Sequence, residues 1–374
     1  MSDLPVLFSE LPLNNGQKIG VATLNAPRAL NALSMEMINQ LLAKFQSWST
    51  DQRIAAVWLE GAGDKAFCAG GDIVALYRSM TEYTGGSTDP AKENPYAENF
   101  FTTEYQLDYL IHTYPKPLIV WGNGIVMGGG MGLFAGAAFR VVTETSRLAM
   151  PEVTIGLYPD VGGSWFLNRM PGRCGLFLGL TGAHFNAADA LFVGLADRFI
   201  THEQRNKVLA ALEEAPWKDD HFQTVSHVLR EFEAGCQAEL PAAQVEAHFA
   251  EIQQLTDADC DLERIKKITA YAGDDKWLQR AASSLAAGSP TAMLLIQEQL
   301  RRARHTSLRE VFQQELNLSV QCCLKGEFAE GIRALLIDKD KNPRWTYATA
   351  EAVEQQWIDS FFEPLWSENP LHDL

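Results

Sequence analysis

The chain has 374 residues, 47% hydrophobic and 21% charged, which is enough for a substantial core and for more than one compact unit. Lys+Arg 31 against Asp+Glu 47 give a formal charge of −16, which opposes non-specific attraction to nucleic acid or an anionic membrane. The six cysteines (Cys68, Cys174, Cys236, Cys260, Cys322, Cys323) form no CxxC pair, and this predicts reduced thiols in a cytoplasmic setting.

Met1-Ser2-Asp3-Leu4-Pro5-Val6 has neither a basic n-region nor an apolar h-region, so no export signal is expected. Val21 to Leu24 reads as a strand. A helix is predicted from Ser34 to Phe45, with Ser34 as N-cap and an apolar stripe through Leu33, Met37, Ile38 and Leu41 to Phe45. Ala55 to Leu59 is a β-branched, apolar run that reads as a buried strand. It leads to a first glycine loop, Phe67-Cys68-Ala69-Gly70-Gly71-Asp72-Ile73. The Gly/Pro-rich segment Thr84-Gly85-Gly86-Ser87-Thr88-Asp89-Pro90 follows without periodicity and is expected to be a mobile loop placed to act as a lid.

A second buried strand, Leu118 to Trp121, feeds the loop Gly122-Asn123-Gly124-Ile125-Val126-Met127-Gly128-Gly129-Gly130. The apolar stretch from Leu118 to Ala138 is too interrupted by glycines and Asn123 to span a membrane. From about residue 201 strand signals fade. Helices are predicted over Glu203 to Glu213, Phe222 to Glu233, Ala242 to Leu255 and Asp261 to Ile268, then from Ser289-Pro290-Thr291, and from Ser307 through Leu324 to a stop at Lys325-Gly326. The charged stretch Ala329 to Asp340 reads as solvated surface rather than a site. By organisation, residues 1–200 form an α/β core, 201–288 a helical extension and 289–374 a C-terminal helical region.

Both glycine loops leave a strand and enter a helical pattern, so backbone N–H groups point out of strand ends where a ligand can approach closely. Two such donors converging on one oxygen make an oxyanion hole for an enolate or a tetrahedral acyl intermediate. Gly122, Gly124 and Gly128, with Glu144 further on, also fit a dinucleotide-binding turn or a purely structural one, but the independent loop at Gly70-Gly71 has no place in either. Glu152 and Asp160 lie in Met150-Pro151-Glu152-Val153-Thr154-Ile155-Gly156-Leu157-Tyr158-Pro159-Asp160-Val161-Gly162-Gly163. Glu152 also fits the start of a short helix after Pro151, and Asp160 an N-cap for the turn at Gly162-Gly163. The eight histidines show no HExxH or comparable spacing, and Ser164 lacks a GxSxG elbow. Neither a metal site nor serine hydrolysis is supported.

Asn25-Ala26-Pro27-Arg28-Ala29-Leu30-Asn31-Ala32-Leu33, Lys65 through Ile73, Gly122 through Gly132 and Met150 through Gly163 together resemble the crotonase (enoyl-CoA hydratase/isomerase) superfamily. The resemblance extends to the tail segment Glu330-Gly331-Ile332-Arg333-Ala334 to Asn342-Pro343-Arg344-Trp345 and is weak between about 201 and 288. It implies an α/β fold: a crotonase-like spiral of repeated ββα units followed by a helical C-terminal region. It also implies an acyl-CoA substrate, an oxyanion hole from the Gly71 and Gly129 amides, and Arg28, Ala69 and Ile73 around the adenine end of coenzyme A. No cofactor is expected beyond the coenzyme A of the substrate, and the family suggests a trimer or hexamer.

Hydratases carry a first catalytic glutamate where this chain has Gly132, and a second that corresponds to Glu152. Asp160 stands where hydratases usually have glycine, as in the hydrolase branch of the superfamily. The resemblance therefore implies hydrolysis of a short β-hydroxyacyl-CoA thioester, with 3-hydroxyisobutyryl-CoA favoured, and Glu152 and Asp160 as the catalytic pair. Enoyl-CoA hydration or isomerisation stays open within the fold. A nicotinamide oxidoreductase or a non-catalytic acyl-CoA binding protein stays open outside it.

Overall fold

The computed structural model describes residues 4–84 and 93–374, so the expected lid at Gly85 to Pro90 lies outside the described residues. The chain forms two compact units, Met1–Gly71 with Leu107–Leu148 and Phe185–Ala247, and Asp72–Gln106 with Ala149–His184 and His248–Leu374. Both are interleaved along the chain, so neither runs as one of the linear ranges 1–200, 201–288 or 289–374.

The strands are β1 (Val6–Pro12), β2 (Lys18–Leu24), β3 (Ile54–Gly61), β4 (Ala66–Cys68), β5 (Leu118–Gly122), β6 (Ile125–Met127), β7 (Phe139–Val142), β8 (Arg147–Ala149) and β9 (Arg198–Phe199), all in the first unit but for the last residue of β8. They build a six-stranded sheet ordered β1-β2-β3-β5-β7-β9 and a three-stranded sheet ordered β4-β6-β8. Successive pairs β3/β4, β5/β6 and β7/β8 each send the first strand to the large sheet and the second to the small one, and this repetition is the ββα spiral. Parallel pairing of β3, β5 and β7 explains why β3 and β5 read as unbroken apolar runs, since such strands are covered on both faces. Helix α1 (Met35–Thr50) starts at Ser34, whose side chain accepts from the Met37 N–H, and it buries Met37, Ile38, Leu41, Phe45 and Trp48. The same periodicity that reveals the helix therefore carries it one turn past Phe45.

Helix α2 (Ile73–Thr84) belongs to the second unit, and α3 (Pro95–His112) runs across the boundary between Gln106 and Leu107. The rest of the second unit is helical. Ser289 caps Pro290–Ala303 through the Ala292 N–H, and Ser307 with Glu310 forms a reciprocal capping box on Leu308–Leu324. The expected helix over Ala242 to Leu255 is shorter, Phe249–Thr256, because the backbone N–H groups of Gln244 and Val245 donate to the Asp189 carboxylate at 2.8 and 2.7 Å instead of entering a helix. In the stretch Ala329 to Asp340, part is core: Gly331, Ile332 and Ala334 are buried. Arg333 gathers the charges, bonding Glu330 at 2.9 and 2.8 Å, Asp338 at 2.6 Å and Asp340 at 2.8 Å.

Candidate active site

In the first unit β4 ends at Cys68 and the chain turns through Ala69 and Gly70, whose φ of +117° excludes ordinary side chains. The turn is pinned by Leu33 N–H donating to Gly70 O at 2.8 Å and by Ala69 N–H donating to Leu30 O at 3.0 Å. Asn31 ties the preceding segment down, its Nδ2 donating to Ala62 O at 3.0 Å and Ala66 O at 2.9 Å. The second loop leaves β6, turns at Gly128 and enters the short helix α4 (Gly129–Ala135).

The two loops meet backbone to backbone. A Cβ placed on Gly70 would lie 3.6 Å from Met127 O and 3.9 Å from Gly129 N, and one on Gly130 would lie 2.3 Å from Cys68 O. Gly70 is thereby packed against the Gly129 backbone, and the Gly71 and Gly129 amides donate to no backbone acceptor among the described residues. Gly130→Ala is expected to force the loops apart at a cost of about 3 kcal/mol and to abolish turnover with it. Thermal unfolding and a thiol-release assay check this, and an alanine variant with unchanged Tm and rate would show that the contact is soft. Arg28 lies exposed on the Pro27–Ala29 turn, whose next residue Leu30 accepts from Ala69. Ile73 opens α2 in the other unit.

Glu152 and Asp160 both fall in the second unit, each 4% exposed. Glu152 is the first residue of a 3-10 turn, Glu152–Ile155, that ends at Gly156, so a short helix does begin there. Asp160 does not cap the next helix, α5 (Gly163–Leu167). The N-cap there is Gly162, without a side-chain bond, and Asp160 Oδ2 instead accepts from Tyr105 Oη at 2.6 Å. Burial is the main force on both acids. It holds the Glu152 carboxyl well above the usual carboxylate range, with the Asp160 charge adding to it. It pushes Asp160 up to about 6, against the Tyr105 hydrogen bond, which favours the ionised form.

Two further carboxyls join them that the sequence motifs do not single out. Glu104 on α3 is 2% exposed, and burial together with the Asp160 charge raises its carboxyl. Glu315 accepts from Gly162 N–H at 2.7 Å and Ser164 N–H at 2.9 Å, yet burial pushes it up to about 8. A signal for both was present: each acid interrupts an otherwise apolar helical stripe, Phe100, Phe101, Glu104, Tyr105 on α3 and Val311, Phe312, Glu315, Leu316 on Leu308–Leu324.

None of the four acids forms an ion pair with a Lys, Arg or His among the described residues. Glu152 Oε2 and Glu104 Oε1 have no hydrogen-bond partner among the described residues. Carboxyls packed this way cannot all ionise, so protons are shared among them. A group that gains a donor from a ligand becomes the preferred site of charge. Such a cluster can exchange protons with a bound substrate near neutral pH, and an acid with an open oxygen can act as base or nucleophile.

The chain belongs to the enoyl-CoA hydratase/isomerase family, whose model matches residues 19–362. It is 38% identical to the mitochondrial 3-hydroxyisobutyryl-CoA hydrolase of Danio rerio over 367 residues, covering 96% of this chain and 90% of that protein. With the mitochondrial 3-hydroxyisobutyryl-CoA hydrolase of Homo sapiens it shares 36% over 360 residues, 93% of this chain and 87% of that protein. Among solved structures it is similar to a carnitinyl-CoA dehydratase from Mycobacterium thermoresistibile, at TM-score 0.84 and 34% identity over 99% of both chains. It is also similar to an enoyl-CoA hydratase from Rhodobacter sphaeroides 2.4.1, at TM-score 0.81 and 33% identity over 96% of this chain and 98% of that one. The likeness runs through 201–288, where the motifs carry little resemblance. No helix among the described residues is long and apolar enough to cross a membrane.

Proposed function

We propose that the protein hydrolyses the thioester of a short β-hydroxyacyl-CoA, 3-hydroxyisobutyryl-CoA, to 3-hydroxyisobutyrate and free coenzyme A. One observation carries this: Glu152 and Asp160 form a buried carboxyl pair with no cation paired to it among the described residues, one acid open and the other held by Tyr105. Helix α4 supplies no acid, its sequence being Gly-Gly-Met-Gly-Leu-Phe-Ala, which disfavours a hydratase working through paired glutamates. The named hydrolase relatives support the same choice.

The thioester carbonyl accepts hydrogen bonds from the Gly71 and Gly129 amides, each worth on the order of 3 kcal/mol as negative charge develops on that oxygen. Arg28, Ala69 and Ile73 surround the adenine end of coenzyme A. Tyr105 stabilises the charged form of Asp160 while Glu152 Oε2 has no donor among the described residues, so the resting pair carries its charge on Asp160 and a proton on Glu152. Passing that proton to Asp160 arms both acids. Glu152 then attacks the carbonyl carbon to give a mixed anhydride, or takes a proton from the water that attacks. The C–S bond breaks with its electron pair on sulfur, and Asp160 protonates the thiolate; on the anhydride route water then cleaves the anhydride, losing a proton to the Asp160 carboxylate, which releases the hydroxy acid and frees Glu152. Asp160 also holds the substrate's β-hydroxyl. No metal or redox group enters these steps. Label found on Glu152 after a single turnover in H2 18O requires the anhydride, with water attacking the Glu152 carboxyl carbon.

A thiol-release assay over acyl-CoAs with and without a β-hydroxyl tests the substrate. Release that is fast only for β-hydroxyacyl thioesters is expected, and equal rates for both sets would remove the role given to Asp160. The pH profile tests the chemistry. The active form holds one proton between Glu152 and Asp160, so kcat/KM rises as the pair loses its first proton, above the usual carboxylate range because burial favours both neutral forms, and falls as the second proton leaves. An acid limb at the ordinary glutamate value would contradict a buried Glu152. The cytoplasmic setting expected from the thiols gains nothing from the comparisons, since the named relatives are mitochondrial.

A further inference from the structure

Asp160 is held from behind by a chain of hydroxyls that the hydrolysis itself does not use. Tyr105 Oη lies 2.6 Å from Asp160 Oδ2 and 2.7 Å from Ser319 Oγ. Ser319 Oγ lies 2.9 Å from Tyr158 Oη, and Tyr158 donates to the backbone carbonyl of Glu315 at 2.8 Å. All three hydroxyl-bearing residues are buried.

Counting protons shows what the chain can do. Four contacts link five groups, each hydroxyl owns one proton, and the terminal carbonyl only accepts. With Asp160 ionised, Tyr105 donates to it, Tyr158 donates to Glu315 O, and Ser319 donates to one of the two tyrosines, so three of the four contacts are filled. With a proton on Asp160 Oδ2, the four protons fill all four contacts head to tail, from Asp160 through Tyr105, Ser319 and Tyr158 to Glu315 O. Only hydroxyl hydrogens turn between the two states, and no heavy atom moves.

The backbone that carries Asp160 is fixed by the same helix. Val161 and Gly162 take φ of +53° and +83°, and the Gly162 and Ser164 N–H groups are clamped by the Glu315 carboxylate. A β-branched residue in the left-handed region persists only where its surroundings hold it there.

We infer that Tyr105 is a positioning residue for thioester hydrolysis: backed by Ser319 and Tyr158, it keeps Asp160 in one orientation whether Asp160 carries a proton or not, so the acid accepts and returns a proton without turning. The inference rests on the role proposed above for Asp160. Other titratable groups around Asp160 are Glu104 on α3, Glu152 on its turn, Tyr158 on its own loop, and Glu315, Cys322 and Cys323 on Leu308–Leu324.

Tyr105→Phe removes the one oxygen and leaves the ring. In it, kcat is expected to fall about 10- to 100-fold with KM changed less than about 3-fold, the signature of an interaction that matters in the chemical step and not in binding. The pH limb that disappears in Asp160→Asn should move to higher pH in Tyr105→Phe, because the lost donor favoured the carboxylate. In the Asp160→Asn background, Tyr105→Phe should cost less than about 3-fold further, since the side chain that Tyr105 still holds no longer exchanges a proton with the substrate. An equal loss in both backgrounds, or a limb that stays in place, overturns the inference. Wild-type turnover by Asp160→Asn alone overturns instead the role of Asp160. Should Tyr105→Phe not fold, Ser319→Ala is read by the same cycle: a smaller loss that vanishes in Asp160→Asn supports the chain, and a loss that persists there overturns it.

Discussion

Glu152→Gln is expected to lower kcat by about 10³-fold or more while leaving a folded protein that still binds acyl-CoA. The amide has nearly the carboxylate's shape but neither attacks a carbonyl nor takes a proton from water, so thiol release measured at saturating substrate falls without a matching rise in KM. Stability should move the other way. The folded carboxyl is held well above its ordinary value of 4.5, so wild type carries stability below about pH 4.5 that it loses as pH rises through the raised folded value, and glutamine has no proton to lose. Thermal melts should therefore show the variant above wild type at pH 8 and the gap closing by pH 4. A variant with full turnover, or one with a lower Tm at every pH, would contradict a desolvated catalytic Glu152.

Asp160→Asn should cost about 10²- to 10³-fold in kcat, less than Glu152→Gln, because an alternative proton source can reach a thiolate more readily than another group can replace the attacking carboxylate. Asparagine still accepts from Tyr105 through Oδ1, so the hydroxyl chain keeps its partner. The aspartate is raised from 3.8 to about 6, which corresponds to roughly 3 kcal/mol of stability that wild type gives up as pH climbs through that window. Discrimination between β-hydroxyacyl and simple acyl thioesters should shrink in the same variant. Unchanged discrimination in the thiol-release panel would move the β-hydroxyl contact to another residue.

The glycine loops were readable because their constraint is local. Gly70 needs a backbone conformation that few residues adopt, and Gly130 cannot carry a Cβ against Cys68 O, so composition alone exposes both. Strands β3 and β5 were legible for a similar reason, since a parallel strand buried on both faces is apolar throughout. The Ser34 cap and the helix starts at Ser289 and Ser307 agree with the structure, because a cap is satisfied within four residues of itself. Glu152 and Asp160 were named by family likeness more than by periodicity. Their local patterns were equally consistent with a helix start and an N-cap, and one of those bland readings does describe the turn at Glu152.

The sequence by itself determined the sites where the backbone is unusual and the helices whose caps and apolar stripes are short-range. Tertiary structure alone decided what the buried acids meet. Glu104, Tyr105, Asp160, Glu315 and Ser319 come from segments up to 215 positions apart, with Tyr105 and Ser319 separated by 214. Their proton affinities depend on desolvation and on one another's charge, which no window of sequence contains. The shortened helix at 242–248 has the same origin: a distant carboxylate, Asp189, outcompetes a local helix for two amides once folding removes the water that would otherwise serve them.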